Sequence, residues 1–354
     1  MSICIEYEKV TLAREYNRFT QKELIEKLKQ FGVILSQGEL SKIELGQRKE
    51  ISEWLLQSFS LALDFPIKFF TTPTHKENIK GGLYRKKQSL KKKDQDYIEA
   101  STNIFKDTYF CLLNFVEIIK TDIPYYSTVS DSPKEIAQKL REYWGVTGVL
   151  DNLVDLLENN GIVVSFIDIN DDKFDGFSCF LNKGYFVFIN SRLSGDRQRF
   201  TIAHELGHII MQHDNSLNPK SDDEANQFAS EFLIPEKEAY QDLLNMTCEK
   251  AYYLKSKWKV SMAALIKKAA DSGAITPSRY KSLMVQMSKL GYRKQEPNPI
   301  AREKPTLFKE IIDVYMTKRN LKNLEEVANA ANIGVDVLKN FFYTPYITQT
   351  IRLV

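Results

Sequence analysis

In the run Arg199-Phe200-Thr201-Ile202-Ala203-His204-Glu205-Leu206-Gly207-His208, two histidines stand four residues apart. On a helix that spacing puts both imidazoles on one face, one turn apart, so they can converge on a single metal ion. Glu205 lies between them, placed to act on a metal-held water rather than to bind the metal. The chemistry is metal-assisted hydrolysis of a peptide bond. At average composition the pattern arises by chance in roughly 1% of chains this long, so coincidence explains it poorly. A catalytic zinc also needs a third protein ligand and an open position for water. An extended HExxHxxGxxH pattern would place glycine at 211 and histidine at 214, where the chain has Met211 and Asp214. His213 is one residue off and is expected to point away from the His204/His208 face. A carboxylate from a second helix is the alternative, and Ser221-Asp222-Asp223-Glu224-Ala225-Asn226 offers several.

These residues need a scaffold. The sequence predicts one helix from Asp196 to His213 carrying the histidines. Three strand-like runs precede it, Ile162 to Ile167, Phe177 to Leu181 and Tyr185 to Ile189, the last two joined by Asn182-Lys183-Gly184 as a hairpin turn. Two amphipathic helices come before the strands, Ser132 to Gly145 and Leu150 to Glu158. Further helices are expected over Tyr252 to Gly273, Pro277 to Gly291, Leu307 to Arg319 and Asn323 to Phe342, with Glu296-Pro297-Asn298-Pro299 as a rigid joint. The fold class is α+β and mainly helical.

Residues 8 to 71 read as five short helices. Thr20 and Glu23 make a capping box, Gly32 breaks the chain, Ser36 starts a helix and Gly46 stops it. A Leu-rich helix then runs from Ser52 to Leu63. Two short helices joined by a glycine-containing turn fit a helix-turn-helix. The stretch from Tyr84 to Lys93 is strongly basic, either a solvated linker or a source of phosphate contacts, and one long helix is expected from Asp94 to about Lys120.

Bulk properties narrow the setting. The chain of 354 residues has room for two or three domains, and 43% hydrophobic with 27% charged residues is ordinary for soluble protein. A net charge of +3 is uninformative beside local basic stretches. Four scattered cysteines form no CxxC pair and suit a reducing compartment. With no membrane-length apolar run, a cytoplasmic location is expected.

Two resemblances extend this reading. Leu12-Ala13-Arg14-Glu15, Phe19 to Leu24, Leu40 to Gly46 and Leu63-Asp64-Phe65-Pro66 resemble the phage-repressor-type (XRE) helix-turn-helix family. That likeness implies an operator in double-stranded DNA, read by a homodimer. In such folds the second helix of the pair enters the major groove, making Ser36, Gln37, Gly38 and Ser41 base-facing candidates. Gln37 is the best, since its amide can pair with adenine. Arg14, Gln21, Lys42 and Arg48 suit phosphates.

Arg197 to His208, Ser221 to Pro235 and Trp258 to Ile266 resemble the ImmA/IrrE family of zinc metallo-endopeptidases, which have a zincin-like domain with a small sheet and an HExxH helix. The family's Glu-x-Glu-Ala-Asn pattern implies that its first position, here Asp222, is the third Zn2+ ligand beside His204 and His208, with Glu224 as fallback and Glu205 as catalytic base. Asp is one methylene shorter than the family's Glu. Asn226 is placed to hydrogen-bond a ligand imidazole, and Gly207 to let the ligand helices pack closely.

The organisation expected is a five-helix DNA-binding domain (8–71), a basic linker and long helix (72–129), a zincin-like peptidase (130–300) and a helical carboxy-terminal domain (301–354). The family implies cleavage of a repressor-type protein, or of the chain itself, linked to a phage or mobile element. Two other readings are a non-proteolytic regulator whose zincin-like domain senses a ligand or metal, and an antitoxin that binds a toxin.

Overall fold

Capping chemistry starts the amino-terminal helices. Thr20 and Ser36 each accept from a backbone N–H three residues on, and Glu23 and Glu39 reach back to the cap N–H groups, closing two capping boxes. They open α2 (Gln21–Lys29) and α3 (Gln37–Glu44), which follow α1 (Tyr7–Tyr16). Ser52 caps α4 (Glu53–Leu63) through the Leu55 N–H, and α5 (Ile67–Thr71) follows Pro66. Gly46 ends α3 with φ +71, a conformation that costs glycine little. These are the five helices the sequence predicts. It does not predict the small antiparallel ladder of β1 (Ser2–Cys4) with β2 (Glu50–Ser52), whose three-residue strands are too short to show a period.

The computed structural model describes residues 2–73, 90–116, 123–181, 184–213 and 219–342. The hairpin turn at Asn182 and Lys183, most of the basic run (84–89) and the end of the expected long helix fall outside these. Contacts divide the chain into two compact units, Met1–Ile119 with Ser165–Phe174 and Thr306–Val354, and Lys120–Val164 with Asp175–Pro305. By contacts, the long helix and the carboxy-terminal helices group with the amino-terminal five.

In the first unit, α6 (Lys92–Leu113) packs on α1. Lys9 and Asp107 form a 2.7 Å ion pair there, both largely buried. Phe105 of α6 meets Phe308 of α15 (Leu307–Arg319) and Phe341 of α17 (Val335–Phe342). The expected continuous helix from 323 to 342 is two, α16 (Leu324–Ala330) and α17, because Asn332 turns left-handed at φ +57.

The second unit holds α7 (Pro133–Tyr143), α8 (Leu153–Asn159), two strands and the first half of a third, and α9 (Gly195–Ile210) through α14 (Pro277–Lys289). The strands are β3 (Ile162–Ile167), β4 (Gly176–Leu181) and β5 (Gly184–Asn190), in the order β3-β5-β4, with β4 antiparallel to β5. Helix α9 packs on β4, β5 and α10 (Pro219–Leu233). The helix predicted over 252–273 is broken into α12 (Cys248–Trp258) and α13 (Met262–Asp271), because Lys259 is left-handed and Ser261 caps anew. No helix among the described residues is long and apolar enough to cross a membrane.

Candidate metal centre

Helix α9 is fixed at its start before it presents any ligand. Arg199, nearly fully buried, pairs with Glu303 and donates to the Leu150 carbonyl at 2.7 Å. Glu303 also accepts from the Leu153 and Val154 N–H groups at 2.8 and 2.9 Å, so one carboxylate caps α8 and anchors α9. Asp196 accepts from buried Lys255 at 2.6 Å, and Glu296 takes the same ammonium at 2.7 Å. A side chain at Gly195 would run into the Ile300 and Ala301 carbonyls.

Further along, Gly207 lets α10 approach. A Cβ there would lie 3.0 Å from Phe228 and 3.3 Å from the Ala225 backbone, as expected for a close helix crossing. That approach brings Asp222 of α10 toward the histidines of α9. One donor atom each from His204, His208 and Asp222 lie within 4.8 Å of one another. The two Nε2 atoms are 3.0 Å apart, and Asp222 Oδ1 is 3.4 Å from His208 Nε2 and 4.0 Å from His204 Nε2. Tetrahedral donors about 2.0–2.1 Å from a zinc ion stand about 3.3 Å from one another, so the observed separations bracket those of a zinc site. The short Asp side chain reaches, because the helices sit close. Its side chain is 47% exposed, which leaves one side of the cluster open to solvent.

The groups around the cluster are equally specific. Asn226 Oδ1 accepts from His204 Nδ1 at 2.9 Å, so that imidazole turns its Nε2 lone pair to the cluster. Glu205 is buried, and the Ser178 hydroxyl donates to its Oε2 at 2.9 Å. Ser178 escapes a reading of the sequence. Its only signal is a small polar residue within an apolar strand, and strand packing alone brings it to Glu205.

His213 requires a correction. The sequence predicts a helix through His213 with that side chain turned away. Instead α9 ends at Ile210, Gln212 is left-handed at φ +48, and the His213 N–H folds back to the His208 carbonyl at 3.1 Å. Its imidazole then lies with Nδ1 3.0 Å from His208 Nδ1 and Nε2 3.1 Å from Glu224 Oε2. No glycine marks that helix end, so the pattern reads through it. Glu224, the fallback ligand, is engaged by His213 and stands apart from the three clustered donors.

The residues expected to meet DNA are divided. Ser36, Gln37, Gly38, Lys42 and Arg48 are exposed on or beside α3, and Ser41 is half-buried. Arg14 is largely buried, held by Glu44 at 2.6 Å and the Phe19 carbonyl at 2.9 Å, which argues against its expected phosphate role. Gln21 likewise donates to Glu44 at 2.8 Å and contacts Gln37 at 3.4 Å. Both brace α1 and α2 against α3.

No curated protein matches the chain. Residues 157–269, which contain the whole histidine–carboxylate cluster, match the M78 peptidase family model described as an IrrE N-terminal-like domain. This stretch of the chain is therefore similar to the ImmA/IrrE metallopeptidases, a family whose members use a metal.

Proposed function

We propose that the second unit is a zinc endopeptidase centred on His204, His208 and Asp222, with Glu205 as its general base. The observation that carries this is the convergence of two Nε2 atoms and one carboxylate oxygen, at tetrahedral-donor separations, beside a buried Glu between the histidines. Bound zinc would polarise both a water and the scissile carbonyl. Glu205, oriented by the Ser178 hydroxyl, would serve as the base that accepts a proton from the attacking water and then as the acid that passes it to the leaving amine. The open side at Asp222 admits the peptide.

We further propose that the amino-terminal five helices read a double-stranded DNA operator as a homodimer. The first residues of α3, Gln37 above all, would face base edges, with Lys42 and Arg48 on phosphates. Support comes from the short helix pair α2–α3 and from exposed polar residues at the start of α3. The substrate that fits a peptidase joined to such a unit is a repressor-type protein or the chain itself, in the setting of a phage or mobile element.

The deciding experiment co-expresses the chain with a neighbouring repressor and reads the fragments by mass spectrometry. Wild type should cut. Glu205→Gln should lower cleavage by about 10²–10⁴-fold while zinc and DNA affinity stay unchanged. Purified protein with less than about 0.2 equivalents of zinc would overturn the reading and leave a non-proteolytic regulator or an antitoxin paired with a toxin.

A further inference from the structure

Besides Asp222 at their Nε2 atoms, helix α10 reaches both histidines of α9 at Nδ1, once directly and once through a third imidazole. The direct contact is Asn226 on His204 Nδ1 at 2.9 Å. The indirect one runs from Glu224 Oε2 to His213 Nε2 at 3.1 Å and from His213 Nδ1 to His208 Nδ1 at 3.0 Å. Glu224 and His213 are largely buried, with side chains 13% and 8% exposed, and Lys220 lies 3.4 Å from Glu224.

Proton positions along this chain follow from what each atom can do. An ionised carboxylate only accepts, so the His213 Nε2 facing Glu224 carries its proton. A neutral imidazole has one N–H, which makes His213 Nδ1 an acceptor. With both rings neutral, His208 donates from Nδ1 and its Nε2 keeps a lone pair turned toward the cluster. His204 reaches the same state through the Asn226 carbonyl oxygen. Two imidazole lone pairs then face each other at 3.0 Å, an arrangement that repels unless a cation lies between them.

We propose that Glu224 and His213 are positioning residues of the metal centre, which fix the tautomer and ring orientation of His208 and so hold its zinc affinity. This rests on the zinc reading above and deepens it. Outer partners of metal-bound histidines typically carry about 10–100-fold in metal affinity. Here they also suit a site whose third donor is the short Asp222.

The test uses the full-length chain and measures zinc affinity by competition with a chromogenic chelator. His213→Leu should weaken zinc binding by about 10–100-fold. His213→Asn puts an acceptor oxygen where Nδ1 was and should restore binding to within about threefold of wild type. Glu224→Gln, an isosteric change that keeps the helix intact, should cost about tenfold. In the metal-free protein, long-range proton–nitrogen NMR should find the His208 proton on Nδ1 in wild type. Wild type that takes up no zinc sinks the zinc reading itself. Wild type that binds zinc no more tightly than a folded His213→Leu and Glu224→Gln, or a His208 proton found on Nε2, sinks the positioning role alone.

Discussion

The peptidase-like unit and the amino-terminal unit both bury ionised side chains, but to different ends. In the second unit, Glu231 and Lys268 are both 1% exposed and pair directly, with Gln138 and the Glu236 N–H completing the carboxylate. That network, with Lys255–Asp196 and Arg199–Glu303, stiffens the helices that carry His204, His208 and Asp222. In the first unit the Arg14–Glu44–Gln21 network braces a surface, with Gln37 at its exposed edge donating to Gln21 at 3.4 Å and Lys42 and Arg48 exposed outside it. One unit turns its polar groups inward to hold a centre; the other uses some to free the rest.

The largest expected difference between them is in stability. Lys268→Ala leaves the Glu231 carboxylate, 1% exposed, with two neutral donors but no counter-charge and should cost about 3–5 kcal/mol in chemical denaturation. Arg14→Ala leaves Glu44 with Gln21 still donating, so about 2 kcal/mol is expected. Equal losses would erase the distinction. Next comes the surface the first network leaves free. Gln37→Ala should cost operator binding about 1–3 kcal/mol and relax one base position, while Lys42→Ala should weaken all sequences alike and lower the salt slope by about one. A titration of operator and scrambled DNA at several salt concentrations separates the two.

The units should also respond oppositely to pH. Burial first, and then nearby Asp96, push the Glu15 carboxyl up to about 7 from 4.5, with Glu99 and Glu44 adding and Arg14 opposing. A raised carboxyl favours the protonated fold, so its contribution is full below about pH 4.5 and lost as pH rises through 7. Burial would raise Glu231 too, but Lys268, Gln138 and the Glu236 N–H hold it below the usual carboxylate range. Its contribution is present above the usual value of 4.5 and lost as pH falls through the lowered one. Hydrogen exchange, corrected for intrinsic rates, should therefore show α1 opening between pH 5 and 8 while α10 stays protected. Glu15→Gln should abolish that trend, and its persistence would assign the opening to another group.

The smallest effect sharpens the peptidase side. Ser178→Ala removes one hydrogen bond to the Glu205 carboxylate and should lower kcat about tenfold with little change in KM. Steady-state kinetics on a cleavable peptide would show it, and an unchanged kcat would leave Ser178 as packing only.

Much of this was legible in residue order because it is local. Capping boxes at Thr20 and Ser36 span three residues, and the five amino-terminal helices follow from them. The HExxH run and strands β3–β5 are likewise short-range patterns. The left-handed turns at Gln212, Lys259 and Asn332 were not legible. None of the three is glycine, and each splits or shortens a helix whose apolar spacing runs straight through it.

By itself the sequence determined that two imidazoles and a glutamate share one helix, that carboxylates follow on the next, and that a helical unit precedes them. Only the tertiary structure decided which carboxylate joins the histidines, that Ser178 meets Glu205, and that His213 folds back onto His208 with Glu224 behind it. The reason is reach. Helix periodicity fixes neighbours within one turn, whereas the separation of α9 from α10 is set by Gly207 against Phe228 and Ala225, residues whose partnership no local pattern encodes.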